Sequence, residues 1–388
     1  MKIVIITPRV PEILDKGDKL RIFHQIKHLS ISNEIHLISL STNNHALINK
    51  DLEKYITSFH VIKTSKIKRI LNLIFYSITK KLPFQVAYYF SKKNKKIIDK
   101  IITKLEPDYI YCQLIRTSEY VKNRHENKII DFMDCFSIGL KRRSEKSNFF
   151  MKMIVLFEYK RVKEYESKIF DFFKNHTIIS EVDQKYINHK KKSEIAIIPN
   201  GIDLTYFKRK SKKYTTNTII FVGNMSYKPN VLAAKFICEK IFPIVEKKVK
   251  NTKVIIAGSS PNRLVRKLAK KNKNIIITGF INDIRDAYEK GTVFVAPMFI
   301  GSGLQNKLLE AMSMKLPCIT TELANKSLNA TKNEIIIANN EKEFAKHCIE
   351  LFNNKEKTLN LIENGYKFVK SKFDWQKSTE EINKLIKS

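Results

Sequence analysis

No stretch of this chain approaches about 18 consecutive apolar residues, so no segment is expected to cross a bilayer as a helix. The opening apolar run, Ile3–Ile6, is four residues long; it is too short for a signal-peptide core and reads as a buried first strand. Cysteine is sparse: Cys112, Cys135, Cys238, Cys318 and Cys348, with the nearest two 23 residues apart. There is no CxxC and no zinc-knuckle spacing, and an odd, scattered set fits reduced, buried thiols in the cytoplasm. No Asp-x-Asp occurs, so the carboxylate pair that would hold a divalent cation on a diphosphate is missing, and no metal or other cofactor is expected. No GxGxxG follows the first strand, which argues against dinucleotide binding of the NAD type.

Acidic residues are also scarce. The 388 residues hold 38 Asp+Glu against 72 Lys+Arg, a net charge of +34. Each half of the chain carries +17, so the excess is not a basic tail. At 43% apolar residues the chain can build real cores and is not a disordered polycation. Such a charge favours anionic partners. Nucleic acid is not among those expected, because no zinc, helix-turn-helix or RNP-like pattern is present and the basic residues form no single stripe.

Short β-type runs alternate with helical stretches along the whole chain. In the first half, Ile3–Thr7, Ile35–Leu40, Val61–Thr64, Tyr109–Cys112, Lys128–Phe132 and Thr177–Ser180 read as strands. Leu20, Phe23, Ile26 and Leu29 mark a helix over Lys19–Leu29, and further helices are expected at Ile97–Leu105 and Phe149–Lys174. In the second half, the strands are Thr218–Gly223, Val254–Gly258, Ile275–Thr278, Val293–Ala296 and Cys318–Thr321. Helices lie between them at Val231–Val249, Asn262–Lys271, Ile284–Lys290 and Lys307–Met314. This alternation predicts an α/β protein of two doubly wound parallel sheets. The expected boundaries are 1–198 and 199–372, followed by a terminal helix over 373–388 that crosses back to the first domain. The linker candidate is Ile198–Thr216, which holds a Pro-Asn-Gly turn and a basic polar run.

Ligands of open parallel sheets bind at the carboxyl ends of strands. After the first strand, Gly17 would let backbone amides approach an anion at a helix start, with Asp18 as N-cap and Lys16, Lys19 and Arg21 adding charge. A stronger signal is Pro297–Met314, PMFIGSGLQNKLLEAMSM. A strand runs through the Gly301-Ser302-Gly303 loop into a helix, open enough for a phosphate. Lys307, in the first turn, can reach a diphosphate. Glu310 shares its helical face, and its carboxylate can accept two hydrogen bonds from a ribose diol.

The segment GSGLQNKLLEAMSMKLPCITT resembles the nucleotide-sugar loop of family 4 (group 1) glycosyltransferases of GT-B fold. IIPNGIDLTYF (197–207), IIFVGNMSYKPNVLAAKFICEKIFP (219–243), VIIAGSSP, IIITGFIND and VFVAPM are similar to further parts of that donor domain, in the same order. The amino-terminal half is similar to sugar transferases of exopolysaccharide and exosortase systems. The resemblance implies two Rossmann-like domains facing a cleft, with sugar moving from a nucleotide diphosphate sugar to a hydroxyl of a glycan or lipid-linked glycan. It implies retention of configuration and no metal. It would give Glu310 the ribose, Lys307 the diphosphate, and Gly301, Ser302 and Gly303 the phosphates or sugar, with Gly17 near the donor phosphates. Ser302 stands where many relatives carry a second glutamate, and Lys228 stands in for a basic pair. Asp134, just past a strand, falls where relatives place a polar residue beside the transferred sugar and is the catalytic candidate.

Residues 67–96, apolar and aromatic stretches framed by Lys and Arg, suit an anionic lipid interface. The expectation is a cytoplasmic protein docking on the inner face of the cell membrane. The competing reading of this segment is a core helix with a solvated basic end. At the level of function, two alternatives stand: a nucleotide-sugar epimerase of GT-B fold that needs no acceptor, and a catalytically inactive relative acting in assembly.

Overall fold

Ile3 and Ile5 face one side of a sheet and Val4 and Ile6 the other, and all four are fully buried. That is the signature of a parallel sheet covered on both faces, and it explains why this strand is a continuous apolar run. The structure, a computed structural model, describes the whole chain apart from residues 15, 44–46, 146, 211–216 and 301–303 and the side chain of Lys271. The chain divides into two units, Met1–Asn200 with Trp375–Ser388, and Gly201–Asp374.

In the first unit, β1 (Lys2–Thr7), β2 (Glu34–Ser41), β3 (Ser58–Lys63), β4 (Tyr109–Gln113), β5 (Asn127–Asp131), β6 (Asn175–Ile178) and β7 (Ala196–Ile197) form one sheet, ordered β3-β2-β1-β4-β5-β6-β7. Every pairing is parallel. The order reverses between β1 and β4, which makes their carboxyl ends the topological switch point. The terminal helix Trp375–Lys387 belongs to this unit. Its Trp375 ring stacks on His24 at 4.9 Å and 10°, and Ile382 and Ile386 enter the same core as Ile3 and Ile5.

In the second unit, β8 (Thr218–Val222), β9 (Lys253–Ala257), β10 (Ile275–Gly279), β11 (Val293–Ala296), β12 (Cys318–Thr320) and β13 (Ile336–Ile337) follow the order β10-β9-β8-β11-β12-β13, again all parallel. Here the switch point lies between β8 and β11.

Three local expectations are corrected. The helix expected over Val231–Val249 begins at Lys228 and is broken by a wider π-type turn at Ile237–Ile241 before continuing as Phe242–Lys248. Pro243 has no N–H to give and its ring crowds the preceding turn, so the helix widens there. Asp18 is not an N-cap: the first helix spans Gly17–Leu29, and the cap position is Lys16, with no side-chain cap bond. Asp18 instead pairs with Arg9 at 3.3 Å. Finally, residues 67–96 are not one core helix with a solvated basic end: the short helix Phe84–Tyr89 enters the core with Val86 and Ala87, and the longer helix before it lies on the surface. Lys66–Thr79 buries only Arg69 and Tyr76, while Ile67, Ile70, Leu71, Ile74, Phe75 and Ile78 lie on its exposed side.

Candidate active site

The second switch point carries Lys307 and Glu310 on the helix Asn306–Ser313, which follows β11. Residues 301–303, with Gly301, Ser302 and Gly303, lie outside the described residues. Lys307 Nζ donates to Asn230 Oδ1 and sits 5.0 Å from the centre of the Phe221 ring. Asn230 comes from the helix after β8, so this contact bridges the two strands of the switch. Its amide is held in register because Nδ2 donates to the Asn224 carbonyl at 2.9 Å, which turns Oδ1 to the lysine. Gly223 makes room for it: a Cβ there would lie 2.7 Å from Asn230 Nδ2. A second glycine, Gly258 at φ +137°, lets the loop after β9 press against that after β8, since its Cβ would lie 2.0 Å from the Gly223 carbonyl oxygen. Burial pulls the Lys307 ammonium down to about 8, against the opposing pull of Glu310.

Glu310 Oε2 accepts from the Tyr288 hydroxyl at 2.7 Å. Tyr288 is fully buried, so this bond satisfies its hydroxyl and fixes the carboxylate rotamer. Burial pushes the Glu310 carboxyl up, and the Tyr288 bond and the Lys307 charge oppose that push. Lys307 and Glu310 are therefore brought together as the helical spacing predicts. Lys228 is exposed in the first turn of its helix, and the residue that meets Lys307 is Asn230, two positions on. Asn230 and Tyr288 were missed by sequence reasoning. Nothing but three-dimensional proximity distinguishes them from ordinary helix residues.

The first switch point presents Gly17, Arg21 and Asp134. A side chain at Gly17 would meet nothing within 4 Å, so protein packing does not demand a glycine there. Arg21, expected to lend its charge to a ligand, is instead fully buried and committed. Its Nε and Nη2 donate to the two oxygens of Asp131 at 2.7 and 3.1 Å, and Nη1 reaches the Ile198 carbonyl and Asn200 Oδ1, each at 2.9 Å. Tyr111 and Thr177 hydroxyls also donate to Asp131, at 3.0 and 2.9 Å. Burial alone would lower the arginine, but the Asp131 carboxylate holds it above its ordinary value. Arg21 thus ties β5 to the Pro199-Asn200 turn that ends the unit.

Asp134 follows Met133, whose φ of +57° is a left-handed conformation uncommon for a branchless non-glycine residue. That turn directs the chain out of β5 and leaves Asp134 open to solvent at the sheet edge. Surrounding protein still desolvates the carboxyl, and Asp183 adds like charge, together pushing it up to about 6. Among the described residues, no group of three or more His, Cys, Asp or Glu side chains could hold a metal ion. No helix among them is long and apolar enough to cross a membrane.

Residues 216–354 match the family model described as "Glycosyl transferases group 1". The second unit carries a group 1 glycosyltransferase domain. A Klebsiella pneumoniae chain, described as an uncharacterized 44.6 kDa protein in the cps region, is 23% identical over 400 residues, 99% of each chain. Solved glycosyltransferases share the fold. HepE of Anabaena in complex with UDP is 12% identical with a TM-score of 0.66 over 100% of both chains. A glycosyltransferase from Rickettsia africae is 16% identical, TM-score 0.68, over 100% of this chain and 97% of its own. A mutant of S. aureus TarM in complex with Fondaparinux, alpha-GlcNAc-glycerol and UDP is 12% identical, TM-score 0.63, over 100% of both. The two parallel-sheet units are therefore those of the GT-B fold.

Proposed function

We propose that this glycosyltransferase moves a sugar from a nucleotide diphosphate sugar to a hydroxyl of a glycan or lipid-linked glycan in surface polysaccharide synthesis, with retention and without a metal. The observation that carries this reading is the Lys307–Glu310 pair, held by Asn230 and Tyr288 at the carboxyl edge of the group 1 domain. The ammonium neutralises the diphosphate leaving group, and the carboxylate oxygen not engaged by Tyr288 accepts from the ribose diol. Gly17 offers backbone amides at the start of a helix to the phosphates or sugar. Asp134, with a carboxyl raised to about 6, is ionised at neutral pH and serves the acceptor hydroxyl as hydrogen-bond acceptor or base. UDP in the HepE and TarM structures and the cps setting of the Klebsiella relative favour the same direction.

A thermal-shift screen with UDP, GDP, CDP and dTDP tests the donor assignment. One of them stabilises the wild type at pH 7 and does not stabilise Lys307→Ala. Because Lys307 is charged below about 8, the wild-type shift shrinks as pH rises toward about 9. No shift with any nucleotide, or an equal one in Lys307→Ala, contradicts the assignment.

The first unit adds a membrane-facing role. The outward face of Lys66–Thr79 is apolar, with Ile67 73% exposed, and the helix Phe149–Phe170 likewise exposes Phe149, Phe150, Met153, Ile154 and Phe157. The two meet where Arg161 Nη2 donates to the Ser77 carbonyl at 2.8 Å, and Phe84, on the short helix that follows Lys66–Thr79, packs on Phe157 at 6.4 Å. Lys66, Lys68, Lys80, Lys81 and Lys152 border this surface, so its charge complements an anionic leaflet. Wild type should sediment with phosphatidylglycerol vesicles and not with phosphatidylcholine ones, and Ile74→Asp with Phe150→Asp should abolish it. Equal binding to both vesicle types would remove this role.

A further inference from the structure

Three arginines gather around one tyrosine at the carboxyl edge of the first sheet. Arg9 follows β1, Arg116 follows β4, and Arg69 projects from the inward face of the helix Lys66–Thr79. Arg9 Nε donates to the Tyr89 hydroxyl at 3.3 Å. The guanidinium carbons of Arg69 and Arg116 lie 4.9 and 5.6 Å from the centre of the Tyr89 ring.

Arg9 has a carboxylate partner in Asp18. Among the described residues, neither Arg69 nor Arg116 has a carboxylate hydrogen-bonded to it, although Asp18 and Asp134 act on Arg116 through their charge. Arg116 Nε donates to the neutral Gln85 Oε1 at 2.8 Å, and its guanidinium lies 4.8 Å from the centre of the Phe136 ring. Arg69 is 5% exposed, and its Nε is buried with no hydrogen-bond partner among the described residues. Burying cationic groups side by side without a directly paired counter-charge is unfavourable. Desolvation holds both Arg69 and Arg116 below the ordinary arginine value, and the like charge of Arg9 adds to that depression, while the Asp18 and Asp134 charges offset part of it at Arg116. The tyrosine rings offset only part of this cost. Compare Arg21 in the same unit, as deeply buried as Arg69 but given a carboxylate, a carbonyl and an amide. A fold able to neutralise one buried arginine so fully leaves two others open at a strand-end edge that binds ligands.

We propose that Arg9, Arg69 and Arg116 form a subsite for the phosphate or diphosphate of a phosphorylated acceptor, the missing counter-charge being supplied by the substrate. The proposal rests on the transferase reading above, which it deepens by naming the acceptor's chemical class. Arg116 and Asp134 feel each other's charge, so an anion held here lies in the electrostatic neighbourhood of the candidate base. Arg69 also faces inward from the helix whose outer face is apolar, so a lipid attached to the bound phosphate has an apolar surface on the same helix.

The test is calorimetric binding of inorganic pyrophosphate and of farnesyl diphosphate to the full chain carrying Lys307→Ala, which removes anion capture at the donor helix. Both probes bind. Adding Arg69→Gln or Arg116→Gln weakens each by about tenfold or more, the equivalent of one charge-assisted hydrogen bond, and Arg116→Lys recovers part of it. Tighter binding of farnesyl diphosphate than of pyrophosphate identifies a lipid-linked phosphate; equal binding identifies the phosphate alone. Arg116 is only half-buried, so its variant keeps the test valid should Arg69→Gln fold poorly. The proposal is overturned if Lys307→Ala binds neither probe, or if the folded arginine variants bind both as Lys307→Ala does. Failure of the donor reading would show separately, as absent nucleotide stabilisation in the wild type.

Discussion

Glu310→Gln should lower kcat/KM for the nucleotide sugar by about 100-fold, corresponding to about 2–3 kcal/mol of lost charge-assisted hydrogen bonding. The amide keeps the size of the side chain and can still accept from Tyr288, so packing is unchanged. What it loses is the charge that makes hydrogen bonds to a ribose diol strong in a dry site. Steady-state kinetics should show most of the change in KM, since the ribose is bound alike in ground and transition states. A Tyr288→Phe variant should give a smaller loss, because it frees the rotamer without removing the carboxylate. If Glu310→Gln retained wild-type kcat/KM, the ribose would be held elsewhere and the donor site would need to be redrawn.

The second large effect is on stability. Asp131→Ala leaves Arg21 in the interior without its counter-charge and strands the hydroxyl of Thr177, while the Tyr111 hydroxyl keeps only Gln25 Oε1 as an acceptor. Breaking a buried pair in this way costs about 3–5 kcal/mol. For a unit of this size that lowers the melting midpoint by about 10 °C or more, measured by calorimetry. The double variant Arg21→Met with Asp131→Leu should be less destabilised than the sum of its single variants, because neither leaves an orphaned charge. Additive losses would mean that the pair does not act as a unit.

These two sites differ in how far they could be read from the chain. Lys307 and Glu310 are three residues apart on one helix after a Gly-Ser-Gly sequence, and helical geometry alone puts them on one face. The pairing of Arg21 with Asp131 spans 110 positions, and no local pattern announces it. Arg21 looked like a free cation beside Gly17 because sequence shows charge but not burial. Asn230 was invisible for the same reason: its contact with Lys307 exists only because β8 and β11 are neighbours in the sheet. Most strands were legible, since fully buried parallel strands are continuous apolar runs. The two-residue strands Ala196–Ile197 and Ile336–Ile337 were not, because two residues carry no periodicity. The helix Lys66–Thr79 illustrates a different limit. An apolar stripe has the same period whether it faces a core or faces outward, so pattern alone could not separate a core helix from a surface one.

The central claim is acceptor-dependent transfer from a donor bound through Lys307 and Glu310. Its most direct measurement is nucleotide release from UDP-, GDP-, CDP- and dTDP-sugars, with and without a membrane glycolipid extract, for the wild type and Glu310→Gln. The wild type should release one nucleotide diphosphate only when the extract is present, a glycosylated lipid should appear alongside it, and, at donor concentrations below the wild-type KM, Glu310→Gln should do so far more slowly. Sugar conversion without the extract, or release that Glu310→Gln leaves unchanged, would contradict it.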